Sequence, residues 1–369
     1  MEPFKNAFSY QNACRIALRI AQVHPAFPMK DFRRGLEKSL EPLELKQRMH
    51  LIADRIEAGL PNNPPALFPI LVKTLATDEA DTEGLRGFLV WPLTEIVARR
   101  GLDFFDESMA ALREMTRCFT GEFAIRPFLR EHRKRTLQQL RKWCDDPDPD
   151  VRRLVSEGSR PHLPWGERLP ELMADPRLTL PLLARLRRDE SDYVRLSVSN
   201  HLNDFSKVHP GLVVETLGQW RKDSPDDARL EKLARHACRT LVKQGHPGAL
   251  ALHGFGNPDA LELVSCVLPD PAVKLGGGLD YKITVRNTSR GKMRVLFDYA
   301  ILHRKANGSQ TPKVFKGRVR DLAAGETWEI EGRHPIRPIT TRVYHGGLHG
   351  FEPRLNGRVH AAVDFMLEI

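Results

Sequence analysis

Long apolar segments are missing from this chain of 369 residues. No uninterrupted hydrophobic run approaches the roughly 18 residues that a membrane span requires. The first residues, MEPFKNAFSYQNACRIALRI, carry polar and charged side chains throughout, unlike a secretory signal. We therefore expect a protein without a membrane partner that works in the cytoplasm.

Cysteine is scarce, and the familiar catalytic motifs are absent. The chain has five dispersed cysteines without a C-x-x-C pair, which indicates reduced packing residues and argues against a zinc site or an iron–sulfur cluster. It also has no G-x-S-x-G, no Walker loop and no H-E-x-x-H. The sequence thus predicts no metal, no cofactor and no classical nucleophile.

Basic residues are in modest excess, with a net charge of +10 and a pI of about 9.5. Residues 266–369 hold 17 lysines and arginines against 10 acids, so most of the excess lies near the C-terminus. This distribution favours a polyanionic partner that contacts both parts of the chain.

Residues 1–258 show the apolar spacing of helices, for example at 44–60 and 107–119, with breaks at proline and glycine clusters. An Asp-rich turn followed by Val-Arg occurs at 150–152 and again at 193–195, and the two Val-Arg pairs are 43 residues apart. A weaker third copy follows at 230–242. That period is typical of HEAT-type repeats and predicts a right-handed α-solenoid whose inner helices line a concave face.

Residues 259–369 alternate polar and apolar side chains between turn signals, with strands expected at 279–287, 292–304, 313–322 and 326–334. We therefore predict a small immunoglobulin-like all-β sandwich after a linker near residues 254–258. The glycine-rich segment 346–350 is expected to be a flexible loop.

Several segments resemble the AlkC-type branch of the AlkD-like DNA glycosylases, namely FTGEFAIRPFL (119–129), VRRLVSEGSRPHLPWGERL (151–169) and VRLSVSNHLNDFSKVHP (194–210). The N-terminal MEPFKNAF and the later LFDYAILHRKANG and PKVFKGR resemble the same branch. The resemblance implies a bacterial repair enzyme of HEAT-like repeats that acts on duplex DNA at the nucleoid. It also implies hydrolysis of the N-glycosidic bond of cationic alkylated bases, 3-methyladenine and 3-methylcytosine, without full base flipping.

Such a base is already a good leaving group, and cleavage moves positive charge onto the sugar. Fixed carboxylates beside the sugar would stabilise that charge and orient a water nucleophile. Glu157 aligns with Asn200 in the 43-residue register, and Asp204 lies one helical turn further along the same face. We predict Asp204 and Glu157 nearest the sugar and water, and Glu122 as a third acid. Because no lysine precedes Lys207 in these motifs, we expect a monofunctional enzyme.

The DNA-binding candidates are aromatic and basic side chains. Trp165 lies in a proline-rich loop and is expected to stack on a base or a sugar, as are Phe123 and Tyr193. Arginine forks suit phosphate oxygens. The predicted phosphate contacts are Arg126, Arg130, Arg152, Arg160, Arg195 and Arg239, and the β domain adds Lys316, Arg318 and His345.

Other interpretations remain open. Each acid also fits a solvated or ion-paired helix residue, and Arg152 and Arg195 also fit the arginine that pairs with an aspartate of the next HEAT repeat. Trp165 also fits a residue that caps the repeat core. A solenoid by itself favours a non-enzymatic scaffold, and a branched-DNA-binding protein is a further alternative. We expect the protein to be a monomer.

Overall fold

The computed structural model describes residues 3–339 and 342–369. The chain divides into two compact units, Met1–Phe205 and Ser206–Ile369. The change from helix to strand comes later, since the last helix ends at Leu252 and the first strand begins at Leu261. The expected boundary at 258/259 therefore marks the change of secondary structure, and as a domain boundary it stays a prediction.

The first unit is built from α-helices and short 3₁₀ turns. Its helices are α1 (Tyr10–Val23), α2 (Met29–Arg33), α3 (Leu36–Leu40), α4 (Leu45–Glu57), α5 (Pro64–Val72), α6 (Trp91–Arg100), α7 (Phe105–Cys118), α8 (Arg126–Glu131), α9 (Arg133–Trp143), α10 (Pro149–Gly158), α11 (Pro170–Ala174), α12 (Leu180–Leu186) and α13 (Asp192–Phe205). The predicted helices at 44–60 and 107–119 correspond to α4 and α7.

The 43-residue recurrence has a structural counterpart in arginine–aspartate pairs. Arg113 of α7 binds both carboxylate oxygens of Asp146, before α10, with nitrogen–oxygen distances of 2.6 and 3.2 Å. Arg152 of α10 binds Asp189, before α13, in the same two-point way at 2.6 and 3.0 Å. These pairs tie each helix to the next Asp-rich turn. The assignment to HEAT repeats and the handedness of the stack stay predictions.

The second unit begins with four helices, α14 (Pro210–Asp223), α15 (Ala228–Ala237), α16 (Arg239–Lys243) and α17 (Pro247–Leu252). The expected third repeat helix, 230–242, is interrupted at Cys238, between α15 and α16. Asp227 starts α15 by accepting hydrogen bonds from the backbone N–H groups of Arg229 and Leu230, which explains the Asp-rich turn there.

Among the described residues nine strands follow: β1 (Leu261–Val267), β2 (Ala272–Lys274), β3 (Gly278–Asn287), β4 (Met293–Arg304), β5 (Gln310–Leu322), β6 (Thr327–Pro335), β7 (Gly347–Leu355), β8 (Arg358–Val359) and β9 (Val363–Glu368). They form one sheet of order β1-β3-β6 and a second of order β2-β9-β7-β4-β5, with β8 paired to β7. Only β2 and β9 run parallel within the described chain. A mainly helical chain with a small all-β domain is thus confirmed.

A group of aromatic side chains packs together in the core of the β domain. Tyr299 stacks on Phe351 and Phe315, with ring centroids 5.0 and 5.6 Å apart, and Tyr281 lies 4.9 Å from Phe351. Cys266 carries a free thiol, so side-chain packing without a disulfide holds this core.

The prediction of a flexible loop at 346–350 is wrong for residues 347–350, because β7 begins at Gly347. This strand pairs with β9 on one side and with β4 on the other, so its backbone groups are satisfied within the sheet. A Cβ atom on Gly350 would lie 2.9 Å from the Leu302 side chain of β4, so a larger residue there would require this side chain to shift. His349 is buried, and its Nε2–H donates to the carbonyl of His345 at 2.9 Å.

Two turns hold the helices and strands of the second unit together. Asn356, which is buried, accepts a hydrogen bond from Leu296 N–H and donates to the carbonyl of Gly256 at 2.8 Å. Beside it, the backbones of Gly245 and Gly357 come so close that a Cβ on Gly245 would lie 2.7 Å from Gly357 Cα. Both glycines have positive φ, at +74° and +81°.

Candidate active site

The three predicted acids lie at neighbouring ends of elements in the first unit. Glu157 is in the last turn of α10, Asp204 is in the last turn of α13, and Glu122 is in the turn that leads into α8. Asp148 caps the start of α10, and Pro149 occupies its first position, which fixes where the helix begins. The 43-residue register therefore places two of the acids at matching ends of packed helices.

Two arginines join the acids into one chain of ion pairs. Arg160 donates from Nη1 to Glu157 Oε1 at 2.6 Å and from Nε to Asp204 Oδ2 at 2.9 Å. Arg153 donates from Nη1 to Glu122 Oε2 at 2.5 Å, and its Nη2 lies 3.6 Å from Glu157 Oε1. The order Glu122–Arg153–Glu157–Arg160–Asp204 is continuous. We call these five residues the acid–arginine network.

The network is largely withdrawn from solvent. Asp204, Glu157 and Arg160 are 2%, 6% and 7% exposed, and Glu122 and Arg153 keep 13% and 14% of their side-chain surface accessible. Ser197 of α13 donates its hydroxyl to Glu157 Oε2 at 2.6 Å, so both Glu157 oxygens are held. Such pairing is what makes buried carboxylates tolerable in a protein interior.

Beneath the network lies Arg126, which is 1% exposed. It donates from Nη1 to the carbonyl of Gly158 at 2.8 Å and from Nε to the carbonyl of Glu167 at 2.6 Å, tying the end of α10 to the loop that follows. Burial lowers the pKa of Arg126 to about 10, which leaves it protonated near neutral pH.

A glycine allows the Glu122 turn to approach α10. A Cβ on Gly158 would lie 2.6 Å from the Ile125 side chain and 3.8 Å from Glu122 Cα. A larger residue at the end of α10 would push this turn away and lengthen the distance between Glu122 and Arg153.

Aromatic side chains border the network. Tyr193 is 47% exposed, and its ring covers the Arg153 guanidinium, with the ring centroid 4.9 Å from Cζ. Phe123, next to Glu122, stacks on Trp91 at 4.9 Å. Trp165 is 58% exposed, its φ is +63°, and Lys46 donates to its carbonyl.

Trp165 does not stand alone at the surface. Phe4, also exposed, contacts it edge to face with ring centroids 6.4 Å apart, and Lys46 Nζ lies 5.9 Å from the centroid of Phe123. An exposed aromatic pair is thus connected through Lys46 to the residue beside Glu122. Flat apolar rings next to carboxylates offer contacts to a base or a sugar.

Four predicted phosphate contacts are engaged inside the protein. Arg126 and Arg160 are buried as described, and Arg152 pairs with Asp189. Arg195 donates to the carbonyls of Asp189 and Glu190. Arg130 is exposed, although it pairs with Glu131 and Glu167.

The remaining predicted contacts lie in the second unit. Arg239 donates to the carbonyl of His236, and Arg318 donates to the carbonyl of Glu331. Lys316 is exposed on β5, and the carbonyl of His345 accepts from His349. They are therefore not part of the acid–arginine network, and their roles stay predictions.

Arg153 and Ser197 were missed by sequence reasoning, although both contact predicted acids. The signal for Arg153 was its spacing of four residues before Glu157 on one helix, which brings side chains together. Ser197 could be found only through the packing of α13 against α10. Within the described residues, no group of potential ligands could hold a metal ion, and no helix is long and apolar enough to cross a membrane.

The structure defines a mainly helical protein with acids gathered in its first unit and an all-β domain at its C-terminus. Residues 262–369 match the family model "Uncharacterised protein YhaZ, C-terminal Ig-like domain", which confirms the immunoglobulin-like assignment. A Bacillus subtilis protein described as uncharacterized protein YhaZ is 33% identical over 368 residues, and the match covers 100% of both chains.

A solved structure is similar over the whole length. The Pseudomonas fluorescens alkylpurine DNA glycosylase AlkC, bound to DNA containing an abasic site analog, is 35% identical with a TM-score of 0.90, covering 100% of each chain. The chain therefore belongs to the AlkC-type family of alkylpurine DNA glycosylases, as its motifs indicated.

Proposed function

We propose that this protein is a DNA-repair glycosylase that hydrolyses the N-glycosidic bond of cationic alkylated bases in duplex DNA. The observation that supports this most is the acid–arginine network, which collects three carboxylates beside exposed aromatic side chains. The relative AlkC acts on alkylpurines and binds DNA, which supports the same class of substrate here.

The network suits a substrate that brings its own positive charge. A protein that only binds DNA gains nothing from carboxylates near phosphates, because like charges repel. An N3-alkylated adenine or cytosine is a cation, and its charge moves to the sugar as the bond breaks. Carboxylates already fixed by arginines stabilise that charge without having to reorganise first.

We assign different roles to the acids. Glu157, with both oxygens held by Arg160 and Ser197, is the fixed charge that stabilises the oxocarbenium-like sugar. Asp204 is the carboxylate that orients the attacking water, and Glu122 supports the lesion. 3-Methyladenine and 3-methylcytosine are the proposed substrates, and the base leaves without being fully flipped into a pocket.

The central experiment measures base release from methylated duplex DNA by the protein and by Asp204→Asn and Glu157→Gln. Each variant should lower the single-turnover rate by about 10²-fold or more, the usual size of one fixed electrostatic group in catalysis. Glu171→Gln, an exposed acid of the same unit, is the matched control and should keep full activity. If no protein releases a methylated base, only a helical binding protein remains. If all four release it at the same rate, Asp204 and Glu157 are not the catalytic acids.

A second measurement tests the water mechanism. Borohydride reduction during the reaction traps enzymes that attack with a lysine amine, so a monofunctional glycosylase should give no covalent protein–DNA adduct. A trapped adduct formed on lesion-containing DNA would contradict the assignment of water as the nucleophile.

A further inference from the structure

A cavity of about 480 Å³ lies within the second unit, between α14–α16 on one side and β4 and β5 on the other. Its lining contains six basic residues, Arg221, Arg235, Arg239, Lys243, Arg294 and Lys316. Among the residues that the structure describes, two acids line it, Glu231 and Asp298. The cavity is therefore strongly positive and does not involve the acid–arginine network.

The two acids offset only part of this positive charge, although Asp298 lies close enough to Lys243 and Lys316 to interact with both electrostatically. Glu231 is paired with Arg221 at 2.5 Å, and Asp298 Oδ1 accepts the backbone N–H of Gly317 at 2.9 Å. In the part of the chain that the structure describes, no ion pair involves Lys243 or Lys316. Burial and the nearby Arg221 lower the pKa of His253, another lining residue, to about 4, so its ring is neutral near pH 7 and adds no charge to the cavity.

The position of Lys316 is set by an irregularity in the sheet. The β4–β5 register shifts at Phe297 and Asp298, and Gly317 is the extra residue on β5. A Cβ on Gly317 would lie 2.2 Å from the carbonyl oxygen of Phe297, so only glycine fits. The bulge and its Asp298 hydrogen bond hold Lys316 at the cavity.

The rest of the lining is apolar and includes an aromatic ring. Val242, Leu296 and Val319 line the cavity together with Phe255, and the Arg294 guanidinium lies 5.2 Å from the Phe255 centroid. Arg221 Nε and His253 Nε2 are buried there without a hydrogen-bond partner. A ligand with an anionic end and a flat apolar body would use both kinds of surface.

We infer that this cavity binds one nucleotide unit, with the phosphate on the basic side chains and the base against Phe255 and its apolar neighbours. A volume of about 480 Å³ is in the range of small-ligand sites. The same chemistry is offered by a free mononucleotide and by a nucleotide at the end of a DNA strand. This site goes beyond the proposed glycosylase function, because none of the three carboxylates contributes to it.

Calorimetric titration of the full-length protein with dAMP, deoxyadenosine and inorganic phosphate tests the inference. We expect dAMP to bind more tightly than either fragment, because only dAMP contacts both surfaces. Lys243→Ala/Lys316→Ala should weaken dAMP binding at least tenfold, since two charge-assisted contacts are lost. Lys274→Ala/Lys305→Ala, which removes two exposed lysines of the same unit, is the matched control.

A second arm uses lesion-free single-stranded oligo(dA), either linear or closed into a circle. Tighter binding of the linear strand that depends on Lys243 and Lys316 assigns the site to strand ends, even if free dAMP binds poorly. If neither dAMP nor the linear strand distinguishes the double variant from its control, the inference is wrong. Base release is not measured in either arm, so failure here is separate from failure of the glycosylase proposal.

Discussion

At the scale of single residues, Arg153 is the side chain whose removal should be most informative. It binds Glu122, lies near Glu157 and is covered by Tyr193. We expect Arg153→Met to lower the single-turnover rate of base release about tenfold, because two carboxylates lose the group that positions them. Arg153→Lys keeps the charge and should recover part of the loss.

A measurement of DNA binding by these variants distinguishes a role of Arg153 in positioning the acids from a general disruption of the site. A positioning role predicts that affinity for duplex DNA carrying an abasic-site analogue changes little while the rate falls. If Arg153→Met loses rate and affinity equally, or if the lysine variant is no better than methionine, Arg153 does not act through the acids.

At the scale of elements, close contacts between backbone segments determine which glycines can be replaced by a larger residue. Gly245→Ala should destabilise the second unit by about 2 kcal/mol, because alanine disfavours positive φ and its Cβ meets the Gly357 backbone. The measurement is the thermal unfolding midpoint. Gly211→Ala, in the first turn of α14 with nothing within 4 Å, is the control and should leave the midpoint unchanged or slightly raised.

The elements also show what the sequence could and could not reveal. The 43-residue register was readable because helix ends recur with the repeat. It aligned Glu157 with Asn200, one helical turn before Asp204, so both acids could be expected near the ends of neighbouring helices. The partners of the arginines were not readable, since Arg160 turns inward only because Glu157 and Asp204 lie on either side of it. β7 was mistaken for a loop because it contains two glycines, Gly347 and Gly350, which lie against the Arg304 and Leu302 side chains of β4.

At the scale of the whole molecule, the net positive charge and the carboxylates of the acid–arginine network act over different distances. The net charge of +10 attracts a polyanion over a long range, whereas the acid–arginine network acts over a few ångströms. The two effects are compatible because each carboxylate of the network is paired with an arginine, which limits its repulsion of distant phosphates. Raising the salt concentration therefore weakens DNA encounter far more than it changes the buried network.

Buried histidines make a further property of the whole molecule predictable, namely its sensitivity to mild acid. His201 and His303 have pKa values lowered to about 3 by burial, and that of His334 is lowered to about 4 for the same reason. All three are less than 7% exposed, so the folded protein keeps them neutral. The unfolded chain takes up protons below its ordinary histidine pKa of about 6.5.

The pKa values of these histidines are lower in the folded protein than in the unfolded chain. The free energy of unfolding is therefore at its full value above about pH 6.5 and decreases as the pH falls toward 4, because the unfolded chain binds protons that the folded protein does not. Each such histidine should cost up to about 2 kcal/mol of unfolding free energy between pH 6.5 and pH 5, where most carboxylates are still ionised. Denaturant unfolding at pH 7.5, 6.5, 5.8 and 5 measures the slope. A midpoint that stays constant over this window would mean that these histidines are accessible to protons in the folded protein.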